Sequence, residues 1–266
     1  MDKIRKLFLK ILKATAINTI ITHHFTNKKF LINTYHHKGY WYFGKKREEN
    51  TIRIFQKWIR KGDYVLEIGG HIGYFTTLYS ILVGETGKID VFEPSELNLF
   101  YLKKNIAYLP QKIEQIITVE NAGAGDINGT LDFYIDPISG QNNSFIKNFD
   151  GYLSSRKLSA ETSSEMIVTQ AKVITLDSYY EKASHLPDFV KIDVEGYEWN
   201  VLQGFKKIIA KYHPKLMVEI QNDAENILTF FKNYDYTIYN DKLEEIIDYN
   251  DYLNKKTPNI FFQYYN

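Results

Sequence analysis

Val65-Leu-Glu-Ile-Gly-Gly-His-Ile-Gly-Tyr-Phe75 decides the fold. A short apolar run ends in Gly69, Gly70 and Gly73, and a helical stretch begins directly after them. Glycine at such a junction lets the backbone turn sharply and lets a ligand approach without interference from a Cβ. Outward from this stretch the same alternation recurs. It predicts strands over 64–68, 88–92, 116–120, 189–193 and 215–220, and helices over 74–82, 96–108, 198–211 and 224–233. Closing strands are expected at 236–239 and 259–264. Strands that alternate with helices make an α/β fold, a doubly wound, mostly parallel sheet with helices on both faces. Upstream, a helix is expected over 48–60, and residues 1–20 read as an amphipathic helix. Residues 23–45 show no regular period. An insert at about 126–185 carries one strand-like run at 131–135 and a Ser-rich stretch at 154–164.

Composition narrows the class. In 266 residues, 44% are apolar, 15% aromatic and 24% charged, which excludes disorder and low-complexity classes. There is no cysteine, so disulfide frameworks, thiolate catalysis and Cys-based metal sites are excluded. The lack fits a reducing, cytoplasmic setting. No apolar run is long enough to span a bilayer, and lysines interrupt the start that would otherwise resemble a signal peptide. The net charge of +1 conceals a division: residues 1–60 hold 14 Lys/Arg against 3 Asp/Glu, and residues 61–266 hold 19 against 29. The chain is a basic leader on an acidic body. Residues 1–47 form an extension, and 48–266 form the α/β domain.

The glycine loop invites comparison with a dinucleotide fingerprint, but Ile68 stands where its first glycine belongs. Glu67 argues further. A carboxylate two residues before the turn repels a pyrophosphate and attracts an ammonium or sulfonium. Glu-x-Gly-x-x-x-Gly therefore suits S-adenosylmethionine (SAM), which has a cationic end and no phosphate. Glu93 closes the second strand twenty residues after Gly73, placed to accept hydrogen bonds from a ribose diol. The third strand ends in Asn121-Ala-Gly-Ala-Gly125, small residues that are candidates to line an adenine pocket.

A second constellation lies in Asp188-Phe-Val-Lys-Ile-Asp-Val-Glu-Gly-Tyr-Glu-Trp199. An apolar strand carries Asp193 to its carboxyl end, Glu195 follows in the turn, and Glu198 suits a helix N-terminus. Ligands of open α/β sheets bind at those strand ends. Glu219, ending the next strand, is expected at the same edge. Three acids there suit a general base, hydroxyl-orienting acceptors or a divalent metal site.

Together these segments resemble the FkbM-type SAM-dependent methyltransferases. The resemblance rests on Val65–Thr76, Val91-Phe-Glu-Pro94, Asn121-Ala122, Ile174-Thr-Leu-Asp177, Val190-Lys-Ile-Asp-Val-Glu-Gly-Tyr-Glu198 with Val201-Leu-Gln-Gly204, and 214–219. It covers about residues 48–222, with Lys-Ile-Asp-Val-Glu-Gly its most specific part. One departure is Gly70-His71, where the family usually shows Ala-Asn. The resemblance implies a seven-stranded Rossmann-like methyltransferase sheet and O-methylation of a sugar, glycan or other small polyhydroxylated acceptor. It implies SAM held by Glu67, Gly69, Gly70, His71 and Gly73 around its methionine end, by Glu93 at the ribose and by Asn121-Ala122 on the adenine side. Asp193 and Glu195 are then the candidate catalytic acids, and Asn142, Asn143, Ser144 and Glu219 the candidate acceptor contacts. A magnesium-assisted variant with Asp193 as ligand stays open. His213 precedes Pro214 and is expected at the opposite end of the sheet.

Competing readings are an NAD-dependent oxidoreductase, a non-catalytic SAM-binding module and a nucleic-acid methyltransferase. The acidic body and the lack of an Asn-Pro-Pro-Tyr-type motif speak against nucleic acid as a partner. For the leader, the expectation is a helix whose apolar stripe packs on the body while its lysines meet solvent. The alternative is peripheral contact with an anionic membrane through residues 1–20.

Overall fold

The computed structural model describes residues 2–137, 142–147, 165–255 and 257–265. Its strands are, in chain order, β1 (Asn18–Thr22), β2 (Lys29–Asn33), β3 (Tyr64–Ile68), β4 (Lys88–Phe92), β5 (Ile117–Glu120), β6 (Gly123–Ala124), β7 (Gly129–Ile135), β8 (Ile167–Ile174), β9 (Phe189–Ile192), β10 (Lys215–Glu219), β11 (Tyr236–Tyr239) and β12 (Asn259–Tyr264). Seven of them form the central sheet, in the order β11-β12-β10-β9-β3-β4-β5. The sheet is parallel except for β12, which runs antiparallel to both β10 and β11. This is the doubly wound, mostly parallel, seven-stranded Rossmann-like α/β sheet that the sequence leads one to expect.

All five residues of β3 are buried, as expected for a central strand covered on both faces. Alternate side chains enter opposite cores. Val65 packs with Ile52, Phe55, Leu78 and Tyr79 from helices Glu49–Trp58 and Tyr74–Val83. Leu66 and Ile68 pack with Val201, Ile209, Ile227 and Phe231 on the other side. The glycine-loop strand therefore lies mid-sheet, with β9 registered beside it, Glu67 opposite Lys191 and Ile68 opposite Ile192.

Several elements differ from expectation. Residues 18–33 form a hairpin, β1 against β2, where the sequence predicts a helix running to residue 20 and irregular chain beyond it. Phe30 and Ile32 are fully buried in the body's core. Asn105 clamps the hairpin: its Oδ1 accepts from the Leu31 N–H (2.6 Å), while its Nδ2 donates to the Leu31 and Ile72 carbonyls. Much of the leader is thus integral to the domain.

The insert's β7 and β8 form a small sheet with β6, which precedes the insert, in the order β6-β8-β7, and no strand is expected from the sequence at β8. Its alternation is real, but only Ala171 and Val173 along it are buried, so the pattern is weakly apolar. The Ser-rich stretch at 154–164 and residues 139–141 lie outside the described residues.

The helix expected over 198–211 is two helices, Glu198–Gln203 and Lys206–Tyr212. A Cβ on Gly204 would lie 1.8 Å from the Gly125 carbonyl oxygen, so only glycine allows this close approach. Asp177 then caps the second helix, accepting from the Lys207 and Ile208 N–H groups at 3.2 Å.

The leader helix, Asp2–Ala14, does not pack its apolar stripe on the body. Ile4, Leu7, Phe8 and Ile11 are all exposed. No helix among the described residues is long and apolar enough to cross a membrane.

Candidate functional site

The carboxyl ends of β3, β4, β9 and β10 border a cavity of about 450 Å³, within the range of small-molecule sites. Its wall includes Glu67, Gly69, Gly70, His71, Glu93, Asp193, Glu195, Glu219, Asn142 and Asn143.

Backbone geometry explains why the loop sits there. Gly69 has φ +84°, and a Cβ on it would lie 1.9 Å from the Asp193 carbonyl oxygen. Glycine lets the loop after β3 lie directly against the end of β9, where the Asp193 N–H donates to the Ile68 carbonyl (3.1 Å). His71 also adopts a left-handed conformation (φ 48°), which histidine shares with asparagine as a tolerated exception. Its backbone N–H donates to Glu93 Oε2 at 2.7 Å. The ring Nδ1 lies 3.2 Å from the Tyr40 hydroxyl. Burial first, and Arg47 second, lower the ring's pKa to about 3, so the imidazole is neutral.

Glu93 is buried at the end of β4. Besides His71, the Ser95 N–H (2.9 Å) and Asn98 Nδ2 (3.2 Å) donate to its Oε1. A carboxylate offers about four lone-pair sites, so acceptor capacity remains on Oε2. That matches what a ribose diol needs, and the cavity suits SAM on this side. Asn121 and Ala122 do not reach it. Asn121 is exposed and donates to Glu96 (2.7 Å), and Ala122 is buried in the core. Gly123 and Ala124, one turn on, line the cavity instead.

On the acidic side the structure supplies a cation that sequence reasoning left without a role. Lys191, 1% exposed, projects from the centre of β9. Its ammonium lies 3.0 Å from Asp193, 3.8 Å from Glu67 and 3.0 Å from the Gly69 carbonyl oxygen. Glu67 also accepts from the Thr76 hydroxyl at 2.6 Å. The acid read as a partner for a cationic ligand thus already faces a lysine. A lysine inside the apolar run Phe189-Val-Lys-Ile192 was the available signal, since a buried ammonium needs partners.

The three acids at the edge differ in charge state. Burial alone would raise the Asp193 carboxyl, but Lys191, with hydrogen bonds from Glu219 and Lys191, outweighs it and holds Asp193 below the usual range. The Asp193 charge, then burial, push Glu219 well above it. Glu195 is raised to about 8, by burial first and by Asp193 second. Glu195 sits at φ 55° and accepts from Gln221 Nε2 at 2.6 Å. Asp193 is therefore a fixed anion, while Glu195 is a carboxylate of raised basicity. Their oxygens and that of Glu219 lie within 4.8 Å of one another, close enough for a divalent ion. Yet the three are already engaged by Lys191, by each other and by Gln221.

The remaining residues sort themselves. The Ser144 hydroxyl donates to the Glu195 carbonyl (2.8 Å), so it holds the turn. Asn143 Oδ1 accepts from the Asp136 N–H (2.9 Å), and Asn142 Nδ2 donates to Asp136 (3.3 Å). Both asparagines still border the cavity. Glu198 is fully buried and accepts from the Gly196 N–H (2.8 Å), a local cap. His213 stacks on Tyr264, 3.9 Å between ring centres, at the opposite end of the sheet. The leader adds Tyr40, Arg47 and Glu48 to the wall, with the Arg47 guanidinium 4.5 Å above the Tyr40 ring. Tyr40 comes from a segment without periodicity, and Arg47 and Glu48 from the entry to the helix expected over 48–60, where nothing local signals a site.

A family model described as the methyltransferase FkbM domain matches residues 67–238. No curated protein matches the chain. Among solved structures, the chain is similar to an FkbM methyltransferase of Methylobacillus flagellatus KT (17% identity, TM-score 0.46). That alignment covers 79% of this chain and 50% of the other, so the chain spans half the length of that structure. It is also similar to a SAM-dependent O-methyltransferase of Thermotoga maritima (10%, TM-score 0.44, covering 82% and 66%). A third is Aeropyrum pernix fibrillarin in complex with SAM (8%, TM-score 0.43, covering 81% and 74%).

Proposed function

The chain belongs to the FkbM methyltransferase family, and we propose that it moves the methyl group of SAM onto a hydroxyl of a sugar, glycan or other small polyhydroxylated acceptor. The observation that supports this best is one cavity bordered both by Glu93, a diol acceptor, and by Glu195, a carboxylate of raised basicity. SAM supplies an electrophilic methyl on a sulfonium that leaves as a neutral thioether. Everything else falls to the chain. Glu93 takes the ribose hydroxyls, the loop through Gly69–Gly73 borders the methionine end, and Gly123 and Ala124 line the adenine side.

In-line transfer asks mainly that the attacking oxygen be positioned. Asn142 and Asn143 supply amides to orient a polyol. As the oxygen–carbon bond forms, the hydroxyl proton passes to Glu195, while Asp193 stays ionised against Lys191. The same reading puts the enzyme in the cytoplasm.

The acceptor can be found directly. Incubation with methyl-labelled SAM and a panel of nucleotide sugars, free glycosides and cell-envelope glycans, read by mass spectrometry, should show one methyl added to a hydroxyl. Label appearing on nitrogen or carbon, with no O-methylated product, would overturn the O-transfer assignment.

A further inference from the structure

The leader carries three exposed apolar elements, linked through Thr34 and Tyr35. The first is the stripe of helix Asp2–Ala14, with Leu7 60% and Phe8 53% exposed. The second is the outer side of the β1 region, Ile17 and Ile20. The third is Trp41-Tyr42-Phe43, with Tyr42 71% exposed. Hydrogen bonds tie them together: Ile17 N–H donates to Thr34 Oγ1 (3.1 Å), and Trp41 Nε1–H donates to the Thr34 carbonyl (2.9 Å). The helix's last turn joins the same region, with the Lys13 ammonium 5.9 Å over the Tyr35 ring. Exposed Lys10, Lys13, Lys45 and Lys46 fringe this surface.

A soluble surface rarely leaves so many large apolar side chains together. Three features select the occupant. The helix is amphipathic, with basic residues off its apolar stripe, the pattern of helices that lie in a membrane interface. Trp and Tyr sit beside the lysines, and such aromatics favour the headgroup level. Charge gives the orientation, because residues 1–60 carry 14 Lys/Arg against 3 Asp/Glu and the body is acidic. An anionic surface attracts the leader and repels the rest.

We propose that this surface docks on an anionic lipid bilayer. Docking would bring the cavity to the bilayer, since Tyr40 and Arg47, which line it, flank Trp41–Lys46 in the chain. The proposal does not depend on the transfer reaction.

Flotation of the full chain with vesicles tests it, comparing phosphatidylcholine alone with an equal mixture of phosphatidylcholine and phosphatidylglycerol. The protein should float with the mixed vesicles only, and high salt should release it. Leu7→Asp/Phe8→Asp and Lys45→Glu/Lys46→Glu should each weaken partitioning at least about tenfold. Unchanged melting temperatures in both would show that the fold survives. Failure of the wild-type chain to float, or equal flotation by the Leu7→Asp/Phe8→Asp variant, would overturn the proposal. So would lipid-free dimerisation abolished by that variant, which would assign the surface to a second copy.

Discussion

With Glu195 as the proposed general base, Glu195→Gln should lower the turnover rate by about 10²- to 10⁴-fold, the range that a positioned general base supplies, and should leave SAM affinity within a few-fold of wild type. Gln keeps the side chain's shape and its contact with Gln221. What it loses is proton affinity. The wild-type pH profile carries a matching signature. The pKa of Glu195 is raised to about 8, and its proton-accepting form is the carboxylate. The rate should therefore fall about tenfold per pH unit below that value and level off above it. The variant should lose this limb. Steady-state kinetics on the acceptor found by labelling would measure both. A variant that keeps wild-type turnover and profile would move the base elsewhere, first to Glu219.

Lys191→Met costs about 3–5 kcal/mol of stability, because removing one partner leaves a buried charge uncompensated. The ammonium lies between Asp193 and Glu67, both on the sheet's central strands or at their ends. For a chain of this size the loss corresponds to a melting temperature lower by on the order of 10 °C. Adding Asp193→Asn should restore part of it, since the orphaned carboxylate is then gone. Thermal unfolding of the single and double variants checks this. Equal stability of Lys191→Met and wild type would show that the lysine does not neutralise the site.

The sheet was legible because its signals are local. Short apolar runs, the glycines at 69–73 and the end of β9 each announce a strand end, and β3, β4, β11 and β12 fall on the residues the pattern predicts. Glu93, Glu195 and Glu219 were legible for the same reason, since strand-end acids share one edge in any such sheet. The misses are tertiary. Tyr40, Arg47 and Glu48 reach the cavity only because Asn105 and the buried Phe30 and Ile32 fix the hairpin to the body. The break at Gly204 answers to the Gly125 carbonyl, a contact distant in sequence. The outward stripe of the leader helix reversed the expectation that apolar residues pack inward, since periodicity shows that a face exists and not what covers it.

The central claim is that this cavity is built for SAM. Thermal-shift titration of the full chain with SAM, S-adenosylhomocysteine and NAD tests it most directly, since a ligand that binds the folded state raises the melting temperature in a saturable way. Both sulfur ligands should stabilise the chain, NAD should not, and Glu93→Ala should weaken the effect. Stabilisation by NAD alone would contradict the claim.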